Sequence, residues 1–419
     1  MSEHNTPEEA SLAEHDHRRL GKELELFTFS DLVGSGLPLW LPKGATIRRI
    51  LERFIVDTEI AWGYSHVYTP ELAKLDLYKT SGHYPYYKDS MYAPITIDEH
   101  EFMLRPMTCP HHFQIYADRP RSYRELPMRI AELAKLFRYE GSGELSGLVR
   151  VRSFCLADAH IICTDKDQAA LEVGRALDLI EHIAEVFGLK MGENYSYRLS
   201  LGDRTDDKKY YKNDQAWNEG EAMLREVLKK RNSIFVEAEH EAAFYGPKID
   251  VQMKDARGKE NTAFTVQYDF CMPDRFNLTY IDREGKEQRP VVVHRSSIGA
   301  IERVMAFLIE HYAGAFPLWL APVQAVILPI GEGHREYAEG VSETLKQAGL
   351  RVEVDASDES LGKRIRQAKM QKIPYLLVMG DKEVAAKTVS LEHRSRGSLG
   401  SQTLDQVTEL LEQEVAQKA

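Results

Sequence analysis

The sequence predicts an α+β protein: a large domain built on an antiparallel sheet, followed by a small α/β domain of about 100 residues. Two runs, LPMRIAELAKLFRYE and VRVRSFCLADAHIIC, flank the glycine-rich loop GSGELSG, and this arrangement predicts an antiparallel strand pair. Past FPLWLAPVQ the pattern changes to strands alternating with helices, which predicts a largely parallel core. The third observation is bulk. A chain of 419 residues with 43% hydrophobic and 28% charged side chains has material for two or three domains. That composition excludes a disordered chain, a fibrous repeat and a disulfide-stapled miniprotein. The expected boundaries are an N-terminal arm over 1–20, the large domain over 21–318 and the α/β domain over 319–419.

Met1 to His17 read as an arm or helix start, polar and acidic, with no apolar h-region of a secretory leader. From Lys43, just after Pro42, the residues Ile47, Ile50, Leu51, Phe54 and Ile55 recur at helical spacing. Gly63 ends this helix, and HVYTPEL follows as a short strand closed by Pro70. A dimerisation element and an ordinary surface helix both fit. Asp167 to Leu189 predict an amphipathic helix with Leu171, Leu177, Ile180, Ile183 and Ala184 inward, and a further helix covers about Asn218 to Arg231. Phe244–Met253 and Thr262–Phe270 are predicted strands; the second sets Thr265, Gln267 and Asp269 on a polar face, as a sheet lining a polar pocket does. PVVVHRSSIGAIERV reads as a strand, a Ser/Gly turn and a helix. In the last domain the predicted order is strand QAVILPI, a helix, strand LRVEVDA, a helix around Arg364–Met370, strand PYLLVMGD and a final helix.

The net charge of −11 supplies no global basic field, so an RNA partner must meet a local basic surface. Four cysteines (Cys109, Cys155, Cys163, Cys271) make no disulfide framework in a chain this long and fit a cytoplasmic location. The most apolar stretch, Ala315 to Ile330, is broken by Pro317, Pro322 and Pro329, so no membrane span is expected.

Cys109, His160 and His294 form the sharpest constellation, each in or beside a predicted strand. One thiolate and two imidazoles suit a catalytic zinc with an open position. Taken without further information, burial of three unrelated core residues is the stronger reading, because no short ligand spacing joins them. Arginines make the second constellation: Arg138 with Glu140 on one strand, Arg150 and Arg152 with Phe154 on the next, and Arg303 opening a helix. Guanidinium forks bind phosphate and stack on flat rings, which suits ATP. Solvated charges on a sheet edge are the alternative. No GxxxxGK[ST], GxGxxG or GxSxG motif occurs in such a context, so a phosphate-binding P-loop, a Rossmann site and a hydrolase elbow are all unsupported.

Together these segments resemble the class II aminoacyl-tRNA synthetases, most closely the threonyl branch of that family, from about Asp16 onward. The carrying stretches are KTSGHYPYYKDSMY, RPMTCPHHFQIY, DAHIIC, FYGPKIDVQM, VQYDF and VMGDKEV. FRYE…GLVRVRSF resembles the family's motif 2, GAIERV its motif 3, and the Thr46–Pro70 helix and strand its motif 1. The resemblance implies a class II antiparallel catalytic domain and an anticodon-binding domain. It implies a threonine–tRNA ligase that forms threonyl-adenylate from ATP and threonine and passes the acyl group to the 3′-terminal adenosine of tRNA(Thr). Cys109, His160 and His294 would hold one Zn²⁺ per subunit, which selects the amino acid hydroxyl. Arg138, Lys248 and His83 would be catalytic, His83 through the tRNA ribose. Arg138, Glu140, Arg150, Phe154 and Arg303 would bind ATP, with Phe154 and Arg303 sandwiching adenine. Asp158, Tyr245 and Gln267 would hold threonine, and Lys372 and Glu383 would read anticodon bases. Mg²⁺ accompanies ATP, and motif 1 implies a homodimer.

Some positions depart from the family pattern. Leu156 and Thr262 each stand where many members have Gln, and Asp358 and Glu392 where a neutral or basic residue is common. Bacterial members usually carry N-terminal and editing domains before the core, whereas the arm of 1–20 precedes it here. The expectation is therefore some serine mischarging, cleared by a trans-editing protein. A tRNA- or mRNA-binding regulator without charging activity, and a synthetase for serine or proline, are the other readings. Retention of Arg138, Lys248, Arg303 and the Cys–His–His trio weighs against both.

Overall fold

Eight strands join into the sheet that organises Phe29–Pro38 and Glu52–Phe307, one of two compact units in this computed structural model, which describes residues 14–206, 208–255 and 258–418. The strands are β1 (Ser65–His66), β2 (Met128–Phe137), β3 (Ser153–Cys163), β4 (Tyr195–Ser200), β5 (Phe235–Ala238), β6 (Lys248–Lys254), β7 (Glu260–Asp269) and β8 (Val291–Ala300). Their order across the sheet is β5-β4-β6-β7-β8-β3-β2-β1. The six central strands pair antiparallel; β1 and β5 add at the edges in parallel. The antiparallel sheet expected of the large domain is therefore present.

Register decides what meets what. One rung across five strands runs Ile130, His160, His294, Gln267, Lys248. The rung two residues along runs Glu132, Asp158, Ser296, Thr265, Asp250. Side chains alternate faces along a strand, so rungs two apart share a face, and strands lie only ~4.8 Å apart. One face of the sheet thus collects residues more than a hundred positions apart in the chain. The opposite face is covered by helices. In α1 (Pro42–Ala61) the residues Ile47, Leu51, Ile55 and Glu59 are buried at steps of four. α2 (Cys109–Ala117) instead lies on the face of the rungs, where His112 meets His160 and Glu132, and it buries Cys109, Phe113 and Tyr116. α3 (Lys166–Val186) packs against β8 and buries Ala169, Val173, Ala176, Leu177, Ile180, Ile183 and Ala184.

Local chemistry moves several boundaries from where the sequence placed them. Leu171 is 71% exposed rather than inward, because it sits two residues, about 200° of helix turn, from Val173 on the core stripe. The helix expected from Asn218 starts earlier, as α4 (Asp214–Lys230), because Asn213 caps it and accepts from Ala216 N at 3.1 Å. β6 begins at Lys248, not Phe244: Gly246 and Pro247 interrupt, and proline has no N–H for a ladder. Arg138 and Glu140 lie just beyond the end of β2, and Arg150 and Arg152 just before β3, so the motif-2 arginines sit on the connecting loop. The expected Ser/Gly turn is absent. β8 runs through Ala300 directly into α5 (Ile301–His311), with a register shift between Ser296 and Ala300 and Gly299 at φ +68°. Of the N-terminal arm, residues 1–13 lie outside the described residues; Asp16 caps a short helix, His17–Glu23.

The second unit comprises Met1–Thr28, Leu39–Leu51 and Leu308–Ala419. Its sheet contains β9 (Ala325–Pro329), β10 (Val352–Val354), β11 (Tyr375–Met379), β12 (Thr388–His393) and β13 (Gly397–Thr403), in the order β10-β9-β11-β12-β13. The first three are parallel, as expected; β12 and β13 add an antiparallel hairpin beyond the expected strands. Glycine and serine dominate β13 and leave it without an apolar alternation to read. α6 (Arg335–Gln347), α7 (Leu361–Met370) and α8 (Leu404–Ala416) complete the unit, with Ile327, Leu345, Leu377, Leu391 and Leu411 in its core.

Candidate functional site

Cys109, His160 and His294 converge. Their donor atoms all lie within 4.8 Å of one another, and all three residues are buried. The two histidines are rung neighbours on β3 and β8, and the first turn of α2 lowers Cys109 onto them. This donor set fits a zinc ion: one soft sulfur, two imidazoles and room for an exchangeable ligand. The surroundings fit as well. Burial, with the negative charges of Asp158 and Asp269, pushes the Cys109 thiol well above its ordinary range, and a divalent cation reverses that bias. Burial and the His294 charge hold His160 well below its usual value, so its ring is neutral and able to ligate. His294 Nε2 lies 2.7 Å from Asp269 Oδ2, a carboxylate–histidine pair that orients the ring. His160 Nδ1 lies 2.8 Å from His112 Nδ1.

The trio forms one wall of a cavity of about 600 Å³. The same cavity is lined by His83, Arg138, Glu140, Arg150, Phe154, Asp158, Tyr245, Lys248, Gln267 and Arg303, so every residue expected to take part in the chemistry reaches one space. Asp158 accepts from the Thr108 hydroxyl, and burial raises its carboxyl above the ordinary value against that bond. Tyr245 donates to Gln267 Oε1, and its ring stacks on His294 at 4.8 Å between centroids. His83 is buried, with Nδ1 2.7 Å from Ser81 Oγ and Nε2 3.9 Å from the Cys109 sulfur. Burial first, then the His294, Arg275 and Arg138 charges, keeps His83 neutral.

The polar end of the cavity is cationic. Burial, then the Arg138 and Arg150 charges, draws Arg303 down to about 10, although Glu140 pulls the other way. Arg303 is held by carbonyls, its Nε donating to Val149 O at 2.9 Å and its Nη1 to Thr262 O. Arg138 lies over the Phe154 ring at 5.1 Å and donates to Pro106 O at 3.1 Å. Glu140 accepts from Arg150 Nε at 2.8 Å. Lys248 Nζ lies 2.9 Å from Asp250 Oδ2, which also accepts from Arg198 and Ser200.

The two expected anticodon readers stand in the other unit. Lys372 is exposed, just after α7, at φ +57°, and its carbonyl accepts from Arg394. Glu383 accepts from Gly380 N at 2.9 Å and so caps its own short helix. Glu392, which departs from the family pattern, pairs with Lys369 at 2.7 Å. Sequence reasoning missed Thr108, His112, Glu132 and Asp250, and placed Asp269 on the polar face without giving it a partner. The even spacing of Asp158 with His160 and of Gln267 with Asp269 was visible, but the partners across strands were not.

Comparison with known proteins agrees with this geometry. Residues 92–312 match the tRNA synthetase class II core domain (G, H, P, S and T), and residues 324–414 match an anticodon binding domain. The chain is 54% identical over 406 residues to a threonine–tRNA ligase of Geobacillus kaustophilus, spanning 97% of this chain and 62% of that protein. It is 53% identical over 392 residues to threonine–tRNA ligase 1 of Bacillus subtilis, spanning 93% of this chain and 60% of the relative. The chain thus spans about three fifths of the length of the curated relatives it matches. A crystal structure described as the RNA binding domain of threonyl-tRNA synthetase from Cryptosporidium parvum superposes with a TM-score of 0.89 at 37% identity, covering 95% of this chain and 98% of that one. With that core, that anticodon-binding module and that degree of likeness, the chain belongs to the threonyl group of the class II aminoacyl-tRNA synthetases.

Proposed function

We propose that this protein ligates threonine to tRNA(Thr) in two steps, activation with ATP and then transfer to the 3′-terminal adenosine. The observation that carries this reading is the meeting of the Cys109, His160 and His294 donors, within 4.8 Å, on one wall of the cavity whose other end holds Arg138, Arg150 and Arg303. One end takes a small polar amino acid; the other takes a polyphosphate. A Zn²⁺ held by the three donors would coordinate the amino group and hydroxyl of threonine, and would deny one ligand to valine, which an apolar pocket alone rejects poorly.

Asp158, directed into the cavity and already accepting from one threonine-type hydroxyl, that of Thr108, accepts the substrate hydroxyl. The Tyr245–Gln267 pair fixes the wall beside His294 and orients the amino acid. Arg138 neutralises the α-phosphate as the carboxylate attacks in line, and Lys248 adds positive charge where it builds up in the transition state. Phe154 and Arg303 hold adenine, Glu140 its amino group, and Arg150 the distal phosphates, with Mg²⁺ bound alongside. For transfer, neutral His83 presents Nε2 as a base toward the ribose, its Nδ1 being bonded to Ser81. Lys372 and Glu383 read the anticodon. The reading includes a homodimer through α1 and a cytoplasmic location, which four buried free cysteines favour. Among the described residues no helix is long and apolar enough to cross a membrane.

The deciding experiment is ATP–pyrophosphate exchange with threonine, serine and valine, together with metal content and aminoacylation of tRNA(Thr). Threonine-dependent exchange and one zinc per chain, both lost in Cys109→Ala, are expected. Binding of tRNA without any exchange would instead support a regulator, and retained exchange in Cys109→Ala would overturn the site.

A further inference from the structure

Each zinc-ligand imidazole needs its outward nitrogen held, and the two are held differently. His294 uses a carboxylate directly, Asp269 Oδ2 at 2.7 Å; Asp269 is itself fixed by Cys271 N at 2.8 Å and Met272 N at 2.9 Å. His160 instead faces a second imidazole, with Nδ1 of one ring 2.8 Å from Nδ1 of the other. The far nitrogen of that second ring, His112 Nε2, lies 3.3 Å from Glu132 Oε2. Glu132 is 2% exposed; it accepts from Thr69 Oγ1 at 2.7 Å and pairs with buried Arg105 at 2.9 Å.

Donor and acceptor bookkeeping gives this chain one direction. A carboxylate only accepts, so His112 Nε2 carries a hydrogen, and in the neutral ring that leaves the lone pair on His112 Nδ1. The short contact between the two Nδ1 atoms then requires the hydrogen on His160 Nδ1. That leaves His160 Nε2 with its lone pair free on the opposite edge of the ring. Three buried groups therefore select one tautomer and one ring orientation of a metal ligand. His112 lies three residues beyond Cys109 on α2, so the helix that delivers the sulfur also delivers the support for the second ligand.

We propose that His112, backed by Glu132, is a positioning residue of the zinc site: it accepts the His160 Nδ1 hydrogen and holds His160 Nε2 toward the ion. The inference rests on the zinc reading above and adds a function for a residue that touches neither the ion nor the substrate. The test replaces His112 with two amides of different reach. In His112→Asn the side-chain oxygen occupies the place of Nδ1 and still accepts from His160. In His112→Gln the amide occupies the place of Nε2, still meets Glu132 and cannot reach His160. The readout is the rate at which zinc passes from the protein to a chromophoric chelator, with urea unfolding of the metal-free proteins as the control for stability.

His112→Gln is expected to release zinc about 10–100-fold faster than the parent, and His112→Asn to stay within about threefold of it. Equal release rates for the two variants, or faster release from His112→Asn, would overturn the proposal while leaving the zinc reading intact. A parent protein that binds no zinc, or a Cys109→Ala variant that keeps it, would remove both. If His112→Gln does not fold, His112→Phe keeps the ring volume without either nitrogen, and parent-like zinc release from it sinks the proposal equally.

Discussion

Lys248 shows how a single residue acquires its chemistry from its rung. It stands opposite Gln267, in the row that continues to His294 and His160, and its ammonium is held 2.9 Å from Asp250. A lysine tethered this way is placed before substrate arrives, so its charge needs no reorganisation during reaction. Lys248→Ala is expected to lower kcat for pyrophosphate exchange by about 10²–10³-fold while zinc content stays at one per chain. Arg303 stands differently. Its guanidinium is anchored on two carbonyls among like charges, so Arg303→Ala is expected to raise the KM for ATP about tenfold or more, with the threonine KM little changed. Residue types were readable in the sequence at both positions. Their partners were not, because Asp250 lies beside Lys248 only through strand alternation, and the carbonyls belong to other segments.

At the scale of elements, a buried ion pair ties α1 to the back of the sheet. Glu59 of α1 accepts from Arg295 of β8, and from Ser297 at 2.6 Å, with His66 at 2.9 Å. Burial alone would raise the Glu59 carboxyl, but the Arg295 charge and the hydrogen bonds outweigh it and hold the group below its ordinary value of 4.5. A carboxyl depressed in the folded state stabilises it fully above the unfolded value, and that contribution fades as pH falls through the folded value. Glu59→Gln is therefore expected to cost about 3–5 kcal/mol at pH 7 by urea unfolding, with the difference from the parent shrinking below pH 4.5. The helical spacing of α1 marked Ile47, Leu51 and Ile55, and Glu59 continues the same step of four, so its burial was implicit in the pattern and overlooked because it is charged.

The junction of β8 and α5 makes the second case. A Cβ on Gly299 would lie 2.1 Å from the Ala263 carbonyl oxygen, and its φ of +68° disfavours any side chain. Gly299→Ala is expected to lose about 1–3 kcal/mol of stability and to displace Arg303, with the ATP KM rising in parallel. The sequence marked this glycine as a turn; the close approach of β7 makes it a bulge instead.

Across the whole molecule, the net charge of −11 supplies no global basic field, so the proposed tRNA contact has to be local. The cavity residues and the exposed Lys372 belong to separate compact units, so the proposed activation and anticodon roles should separate as well. Lys372→Ala is expected to leave threonine-dependent pyrophosphate exchange unchanged and to raise the KM for tRNA about five- to tenfold, roughly 1–1.4 kcal/mol. A parallel loss of exchange would show that this residue acts on folding rather than on tRNA.

Sequence alone determined the α+β architecture, the long helices and most of the strands, because hydrophobic period, capping residues and proline breaks are local signals read within one turn or one strand. Tertiary structure alone decided that His160, His294, Gln267 and Lys248 stand in a single row and that α2 brings Cys109 and His112 onto it. Strand order and register are set by burying one apolar face across the entire sheet, a sum over segments far apart in the chain that no short spacing encodes.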